Sequence, residues 1–352
     1  MSYEIGMKLL NLEDTPRVGR VEYCFHNELI EEVTGIKPGQ GSKDDRKKAQ
    51  QLWQQWANYD FIWTVKFGYT PWPELGRVTQ MGHAVYQENG TDFSASQNCP
   101  FSNIDEVMKF DAVKEYGVPD IDKEAWNLSD IHGRRQKDFS TLVVPGAYYY
   151  TLFSGAIWTF GWDMLLMALG TDPDRFGEYV MEGYYERTKA YYQAWGKTDI
   201  KAFICHDDIV WTSGAVCNPE WYRKYIFPRY KKLWAILKER NIKILYCSDG
   251  DFNEFIDDIA EAGADGFIFE PVTSLETIAE KYGKTHIIMG NVDCRVLTFG
   301  NKKDIEKEVN RCLDIGKDCP GYFLVAGNHI PANIPLDNAK YYFDYVNKNM
   351  WK

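Results

Sequence analysis

A chain of 352 residues, 45% of them hydrophobic, is long enough to bury a large core in one α/β barrel or in two smaller domains. The net charge of −11 and the pI near 5.2 argue against a nucleic acid or an anionic membrane as partner, because both require a basic footprint. No apolar run approaches the roughly 18 residues of a membrane span, and the start of the chain lacks the features of a signal peptide. We therefore expect a cytoplasmic protein.

The eight cysteines show no CxxC spacing and no pattern typical of a small disulfide framework. We expect reduced thiols, of which one or two have a chemical role. Aromatic residues reach 15%, and many cluster in Trp53–Trp72, Tyr148–Trp162 and Tyr184–Trp195. Most of these side chains should pack in the core, but their density favours a pocket for a flat or apolar ligand.

The N-terminal part of the chain predicts an extension of helices and loops over residues 1–58, with a helix at Asp44–Tyr59. Phe61–Phe67 is the first predicted barrel strand and Thr141–Val144 the second, followed by helical periodicity over Leu152–Leu169. Between them, Thr79–Tyr116 is irregular and predicts long loops over one face, where substrate contacts usually lie.

After residue 170 strands and helices alternate regularly. The predicted strands are Ile200–Cys205, Ile242–Tyr246, Gly266–Phe269, His286–Met289 and Tyr322–Ala326. The predicted helices between them are Arg175–Trp195, Glu220–Glu239, Phe252–Ala262, a helix ending at Gly283, and Lys303–Ile315. Units of this order predict a parallel sheet, and a chain of this length favours a closed (β/α)8 TIM-like barrel forming one domain over residues 1–352.

Polar side chains follow five of these strands in succession. The segments are Cys205-His206-Asp207-Asp208, Cys247-Ser248-Asp249-Gly250, Glu270, Asn291-Val292-Asp293 and Asn328-His329. Since the C-terminal ends of parallel strands are where such folds place their chemistry, we expect one polar site at the mouth of the barrel. If His206 points inward, its neighbour Cys205 should point outward.

Several of these motifs, in this order, resemble the uroporphyrinogen decarboxylase superfamily, in the branch of corrinoid- and cobamide-dependent methyltransferases. The resemblance covers about 150 residues from Ile200 onward, in His206-Asp207-Asp208, Asn218-Pro219-Glu220, Tyr246-Cys247-Ser248-Asp249-Gly250-Asp251, Met289-Gly290-Asn291-Val292-Asp293, and Gly327-Asn328-His329-Ile330-Pro331 with Ile334-Pro335-Leu336-Asp337-Asn338. It implies the same barrel fold.

The decarboxylase itself is less compatible with the sequence. It must bind a porphyrinogen that carries many carboxylates, and its members resemble one another in an arginine-rich N-terminal segment. The nearest stretch here, Thr15-Pro16-Arg17-Val18-Gly19-Arg20, lacks that pattern, and an acidic chain without it is a poor host for a polyanion.

The methyltransferases that this chain resembles hold zinc with a His-x-Cys pair and a later cysteine, and related methionine synthases add a glutamate. Laid on this sequence, these positions fall on Cys247, Asp249 and Glu270, with the last near His329. The resemblance thus implies Zn²⁺ held by Cys247, Glu270 and His329. This set is poorer in thiolates than the family pattern and suits a zinc that activates an oxygen.

The leading hypothesis is a zinc-dependent methyltransferase that moves a methyl group from a methyl ether, a methoxylated aromatic, to the Co(I) corrinoid of a partner protein. A separate corrinoid-binding protein is expected because the chain lacks an Asp-x-His-x-x-Gly motif. Catalytic roles are assigned to Asp207, Asp208 and Asp249, and substrate binding to His206, Tyr148 and Trp211.

Simpler alternatives stay open for each residue. Cys247 could be a structural thiol, His329 a loop cap and Glu270 the partner of a basic residue, while Asp249 or Cys294 could be an additional ligand. Alternative functions are a metal-independent lyase of the decarboxylase type, a methyl-corrinoid:thiol methyltransferase, and a barrel that binds corrinoid or aromatic ligands without turnover.

Overall fold

The computed structural model describes residues 1–38, 40–64 and 99–352. Its strands are β1 (Gly19–Arg20), β2 (Gly146–Tyr148), β3 (Ala202–His206), β4 (Val210–Trp211), β5 (Gly214–Ala215), β6 (Lys243–Ser248), β7 (Gly266–Phe269), β8 (Ile287–Met289) and β9 (Tyr322–Leu324). Strands β4 and β5 form a separate antiparallel pair, and the others form one parallel sheet in the order β1-β9-β8-β7-β6-β3-β2.

The helices are α1 (Tyr3–Leu10), α2 (Asn27–Thr34), α3 (Lys43–Trp56), α4 (Ile104–Met108), α5 (Ala112–Tyr116), α6 (Ile121–Asp138), α7 (Phe153–Thr171), α8 (Pro173–Arg175), α9 (Met181–Trp195), α10 (Pro219–Tyr225), α11 (Phe227–Lys238), α12 (Ile256–Ala262), α13 (Leu275–Tyr282), α14 (Cys294–Phe299), α15 (Lys302–Gly316) and α16 (Leu336–Asn349). A π-helical turn at Phe176–Val180 leads into α9, and a 3₁₀ turn at Asn253–Phe255 leads into α12. Over the described ranges, no helix is both long and apolar enough to cross a bilayer.

Backbone hydrogen bonds close the sheet into a barrel. Asp60 N donates to Arg20 O over 2.9 Å, Ile62 N donates to Val143 O over 2.9 Å, and Val143 N donates to Asp60 O over 3.0 Å. Residues 60–62 therefore lie between β1 and the residues that lead into β2. This segment supplies the stave between the two ends of the sheet and confirms the (β/α)8 TIM-like barrel.

The first strands differ in position from the prediction. Phe61 pairs with Val143 as expected of a stave, but β1 precedes it, so the first strand comes from within the N-terminal extension. Strand β2 begins a few residues after the predicted Thr141–Val144. Residues 65–67 of the first predicted strand, and residues 79–98 of the predicted loop region, lie outside the described residues.

The two-residue period of the strands separates the core into two layers. One apolar cluster fills the barrel and includes Ala147, Ile204, Leu245, Cys247, Ile268 and Met289. The other lies between the barrel and its helices and includes Tyr148, Phe203, Cys205, Tyr246 and Phe267. Because neighbours in a strand face opposite ways, the layer of one residue determines the layer of the next. Cys205 points outward, as predicted.

Buried ion pairs hold the N-terminal strand in the barrel. Arg17 pairs with Asp60 through two hydrogen bonds of 2.6 and 2.7 Å, and both side chains are buried. Arg20 Nη1 donates to Leu324 O over 3.0 Å and lies 3.4 Å from a carboxylate oxygen of Glu22. Both arginines of the Thr15–Arg20 segment thus have structural partners.

We predict that Arg17→Ala lowers the free energy of unfolding by about 3–5 kcal/mol, because the Asp60 carboxylate would stay buried without its cation. Urea unfolding followed by circular dichroism measures this. The control is Lys8→Ala, which removes an exposed pair with Glu4 and should leave the free energy of unfolding nearly unchanged. Equal effects of the two substitutions would contradict the structural role given to Arg17.

Candidate active site

The ends of β3 and β6 place four polar side chains on the inner face of the barrel mouth. His206 lies directly opposite Cys247 in the parallel register. Asp208 and Asp249 each follow two residues later, so each continues the inward-facing side of its chain. His206, Cys247 and Asp249 line a cavity at the carboxyl ends of the strands, and Asp208 lies directly beside them, in contact with His206.

This cavity has a volume of about 660 Å³. Its polar lining includes His206, Cys247, Asp249, Glu270, Asn328 and His329, and its aromatic lining includes Tyr23, Phe25, Trp63, Tyr149 and Phe269. A mostly apolar wall with a few convergent polar groups is typical of a small-molecule site.

Three side chains in this region converge closely enough to hold one metal ion. Donor atoms of His206, Asp208 and Asp249 all lie within 4.8 Å of one another. No other trio of histidine, cysteine, aspartate or glutamate donors reaches this spacing in the described ranges. The cluster combines one imidazole with two carboxylates, which are accepted zinc ligands.

Asp208 fixes the orientation of the imidazole. His206 Nε2 lies 3.0 Å from Asp208 Oδ1, which also accepts from Asp249 N over 3.0 Å, and Tyr149 donates to Oδ2 over 3.2 Å. Burial alone would raise the pKa of Asp208, but His206 and these donors outweigh it and hold that pKa below its usual value. The carboxylate is thus ionised and Nε2 is the donor.

The second ring nitrogen of His206 has a different environment. His206 is only 8% exposed, and its Nδ1 has no hydrogen-bond partner among the described residues. In a neutral imidazole that donates from Nε2, Nδ1 carries a lone pair. A buried acceptor in this state is costly unless a ligand satisfies it, so His206 is suited to bind a metal.

Glu270 and Asn328 form a second polar group beside the cluster. Glu270 accepts from Gly250 N over 2.8 Å and from Asn328 Nδ2 over 3.1 Å, and the same amide lies 3.2 Å from Asp249 Oδ2. Gly250 has φ +84°, and a Cβ there would lie 2.7 Å from Trp211 O, so glycine is required at this turn. Asn328 therefore links two carboxylates.

Burial raises the pKa of Cys247 well above its usual value, and the nearby charges of Asp249 and Asp208 raise it further. The side chain is 4% exposed and lines the cavity. In the protein without a bound cation, this thiol is neutral. Cys294 lies elsewhere: its Sγ donates to the backbone oxygens of Gly327 and His329, over 3.0 and 2.9 Å.

The metal trio inferred from the resemblance, Cys247, Glu270 and His329, is arranged differently from the His206 cluster. Cys247, Glu270 and His329 all line the cavity, but their donor atoms do not converge as those of the His206 cluster do. His329 packs edge-on against Phe25 at 5.4 Å between ring centroids, and its Nδ1 is hydrogen-bonded to the side chain of Asn328. These contacts hold the imidazole at the rim.

Asp207, to which the sequence assigned a catalytic role, lies outside the cavity lining. It is fully buried on the outer face of β3, where its carboxylate accepts from Leu152 N, Phe153 N and Ser154 N over 3.1, 3.0 and 2.6 Å. Tyr230 donates to it over 2.5 Å. Burial raises the pKa of Asp207 to about 6. The residue anchors the start of α7.

Two assigned substrate-binding residues also lie away from the cavity. Tyr148 is fully buried on the outer face of β2, with its ring centroid 4.9 Å from that of Tyr191 in α9. Trp211 is 43% exposed, and its ring lies 5.3 Å from Trp162. Tyr149, one residue after Tyr148, occupies the inward position instead.

The sequence predicted no site role for four residues of the cavity lining, Tyr149, Asn328, Tyr23 and Phe25. The alternation of strand side chains would have indicated Tyr149, had the strand been placed at Gly146–Tyr148. Asn328 belongs to a polar segment that follows a predicted strand, but the site role in that segment was assigned to its neighbour His329. Nothing in the sequence pattern connects Tyr23 and Phe25, near the N-terminus, with strands two hundred residues away.

Comparison with known proteins assigns the chain to a family. The model of the uroporphyrinogen decarboxylase (URO-D) family matches residues 151–349, more than half of the chain, so the protein belongs to this family. The uroporphyrinogen decarboxylase of Syntrophotalea carbinolica is 29% identical over 135 residues, 38% of this chain and 39% of that protein. The decarboxylase of Xanthomonas campestris pv. campestris is 24% identical over 224 residues, 59% of this chain and 60% of that protein. These matches therefore span less than two thirds of either relative.

The solved structure of a methyltransferase from Methanosarcina mazei has a TM-score of 0.67 to this chain. The alignment covers 98% of both chains at 16% sequence identity. At this identity the likeness establishes the fold, and it includes the N-terminal segment that the family model does not reach.

We predict that Asp207→Asn lowers the free energy of unfolding by about 1.5–3 kcal/mol, because an amide cannot accept all the hydrogen bonds of the carboxylate. Urea unfolding measures the change. Asp120→Asn, at the exposed N-cap of α6, is the control and should be nearly neutral, since asparagine is also a good cap. If Asp207→Asn unfolds with the same free energy as the wild type, the structural role is contradicted and Asp207 is again a catalytic candidate.

Proposed function

We propose that the protein is a zinc-dependent methyltransferase that moves a methyl group from a methyl ether, a methoxylated aromatic, to the Co(I) corrinoid of a partner protein. The observation that supports it best is the convergence of His206, Asp208 and Asp249 at one end of an aromatic-lined cavity. The fold shared with the Methanosarcina mazei methyltransferase is consistent with this class.

The donor set fits a zinc ion. His206 Nε2 lies 3.0 Å from Asp208 Oδ1, so an ion between them would replace their shared proton, and the carboxylates of Asp208 and Asp249 offer oxygen donors and negative charge. A zinc ion held by these residues would supply Lewis acidity to an ether oxygen. In this proposal Cys247 and Glu270 lie beside the ion, and His329 stands at the rim of the cavity.

The protein side chains would prepare the site for this chemistry. Tyr149 donates to Asp208 Oδ2 over 3.2 Å and would hold this carboxylate in place, which is how outer residues commonly orient a metal ligand. Asn328 holds Asp249 and Glu270 in place from the opposite side. The cluster thus changes little when a ligand arrives, which favours catalysis by preorganisation.

The aromatic wall would bind the ring of the substrate and exclude water. Tyr23 and Phe25 pack edge to face at 4.5 Å between centroids, and Trp63 lies 5.9 Å from Tyr23. When the O–CH₃ bond breaks, its electron pair stays on oxygen as phenolate, and the acceptor supplies the pair for its new bond to carbon. A dry cavity strengthens electrostatic stabilisation of that phenolate.

The two arginines of the N-terminal segment are not placed to bind the carboxylates of a porphyrinogen, as the decarboxylase alternative would need. Arg17 and Arg20, the arginines of the N-terminal segment, are buried in contacts with Asp60, Glu22 and the backbone. Neither lines the cavity. This favours a substrate with fewer charges than a porphyrinogen.

We predict that protein purified without added zinc contains about one equivalent per chain, and that His206→Ala loses most of it. Metal analysis by mass spectrometry measures both. His329→Ala is the matched control, since it removes another cavity histidine that is outside the converging cluster. Loss of zinc in His329→Ala but not in His206→Ala would favour Cys247, Glu270 and His329 as the ligands. A wild-type protein without zinc would favour the lyase alternative.

We predict that the protein transfers a methyl group from a methoxylated aromatic to free cob(I)alamin. The change in cobalt absorbance measures the rate of transfer, and Asp249→Asn should lower that rate about 10- to 100-fold. Asp251→Asn is the control, because Asp251 lies two residues further on and its carboxylate accepts hydrogen bonds from Asn253 in its own turn. Release of CO₂ from a carboxylic acid without methyl transfer would contradict the proposal.

A further inference from the structure

A groove with a basic wall lies beside the cavity at the barrel mouth. It has a volume of about 810 Å³, runs between α3 and α6, and shares Gln50 with the lining of that cavity. Five of its lining residues are basic and two are acidic. Because the whole chain carries a net charge of −11, the groove is a positive region on a negative molecule.

The spacing of residues along α3 produces the basic wall. Lys43, Arg46 and Gln50 follow one another at intervals of three and four residues, so their side chains lie on one face of the helix. Ala49 and Trp53 also line the groove, and both are buried. The helix therefore presents cations at the edge of a groove with an apolar base.

Part of this positive charge is not neutralised within the described ranges. Lys47 donates to Asp138 over 2.5 Å, and this hydrogen bond, together with the charge of Lys43, lowers the pKa of that carboxyl. Arg46, and Lys37 in the loop after α2, are exposed in the groove lining, and neither forms an ion pair with a described carboxylate. Since a guanidinium presents a fork of donors that matches a carboxylate, Arg46 is suited to bind one from another molecule.

We infer that this groove is a docking site for an acidic segment of a partner protein, whose carboxylates pair with Arg46 and Lys37 while its apolar side chains pack on the base. A protein bound there would lie next to the cavity, since Gln50 lines both. Such complementarity accelerates encounter and selects the partner, although each exposed ion pair is weak. The inference does not depend on the proposed function, in which the partner would be the protein that carries the corrinoid.

Fluorescence anisotropy with a labelled deca-glutamate peptide tests the docking site. At low ionic strength we expect saturable binding of this peptide, weakened by added NaCl, and no binding of a neutral Gly-Ser peptide of the same length. The protein and the acidic peptide have net charges of the same sign, so attraction to the molecule as a whole cannot produce this binding.

Arg46→Glu should weaken binding of the acidic peptide at least about tenfold, because a like charge replaces the guanidinium. Lys48→Glu is the matched control and should weaken it less than about threefold. It reverses the same charge on an exposed residue of α3 that does not line the groove. Circular dichroism identical to that of the wild type shows that both variants are folded.

Absence of peptide binding by the wild type, or equal effects of Arg46→Glu and Lys48→Glu, would overturn the inference. Binding of inorganic pyrophosphate without binding of the peptide would also overturn it and would identify a site for small anions. Peptide binding requires neither zinc nor corrinoid. A protein that binds the peptide but transfers no methyl group to cob(I)alamin would therefore support the docking site and contradict the proposed function.

Discussion

The alternation of side chains along the parallel strands is the constraint on which the site depends. A barrel strand can direct only every second residue inward, so His206 lines the cavity and Asp208 contacts it from the same side, while Cys205 and Asp207 face the helices. The parallel register then sets His206 opposite Cys247. Two inward positions at the end of β3 and two at the end of β6 are enough to bring the four polar side chains together. Closure of the barrel keeps these strands in register.

The same alternation explains the different fates of two adjacent carboxylates. Asp207 faces the helices, where three backbone N–H groups at the start of α7 and the hydroxyl of Tyr230 saturate it. Asp208 faces the other way, where it is hydrogen-bonded to His206 and lies near Asp249. Asp207 therefore attaches the start of α7 to the barrel, and the neighbouring Asp208 belongs to the His206 cluster. The position of that cluster depends on both residues.

Much of the fold could be predicted because its evidence is local. Strand and helix periodicity with caps such as Asn218-Pro219 predicted the C-terminal half, and polar strand endings predicted the location of the site. Closure of the barrel could not be predicted in detail, since β1 has only two residues and depends on Asp60 and Phe323 for its place. Contacts between distant segments leave no periodic pattern in the sequence.

The site was harder to predict than the fold because ligand geometry depends on side-chain packing. Motif spacing placed Cys247, Glu270 and His329 in one cavity, but the edge contact with Phe25 and the bond to Asn328 hold the last of them away from a common centre. The hydrogen bond between His206 Nε2 and Asp208 instead holds this imidazole beside the two carboxylates of the cluster. Because a metal ion needs several donor atoms around one point, a histidine held beside two carboxylates is a better candidate ligand than one whose ring packs against Phe25.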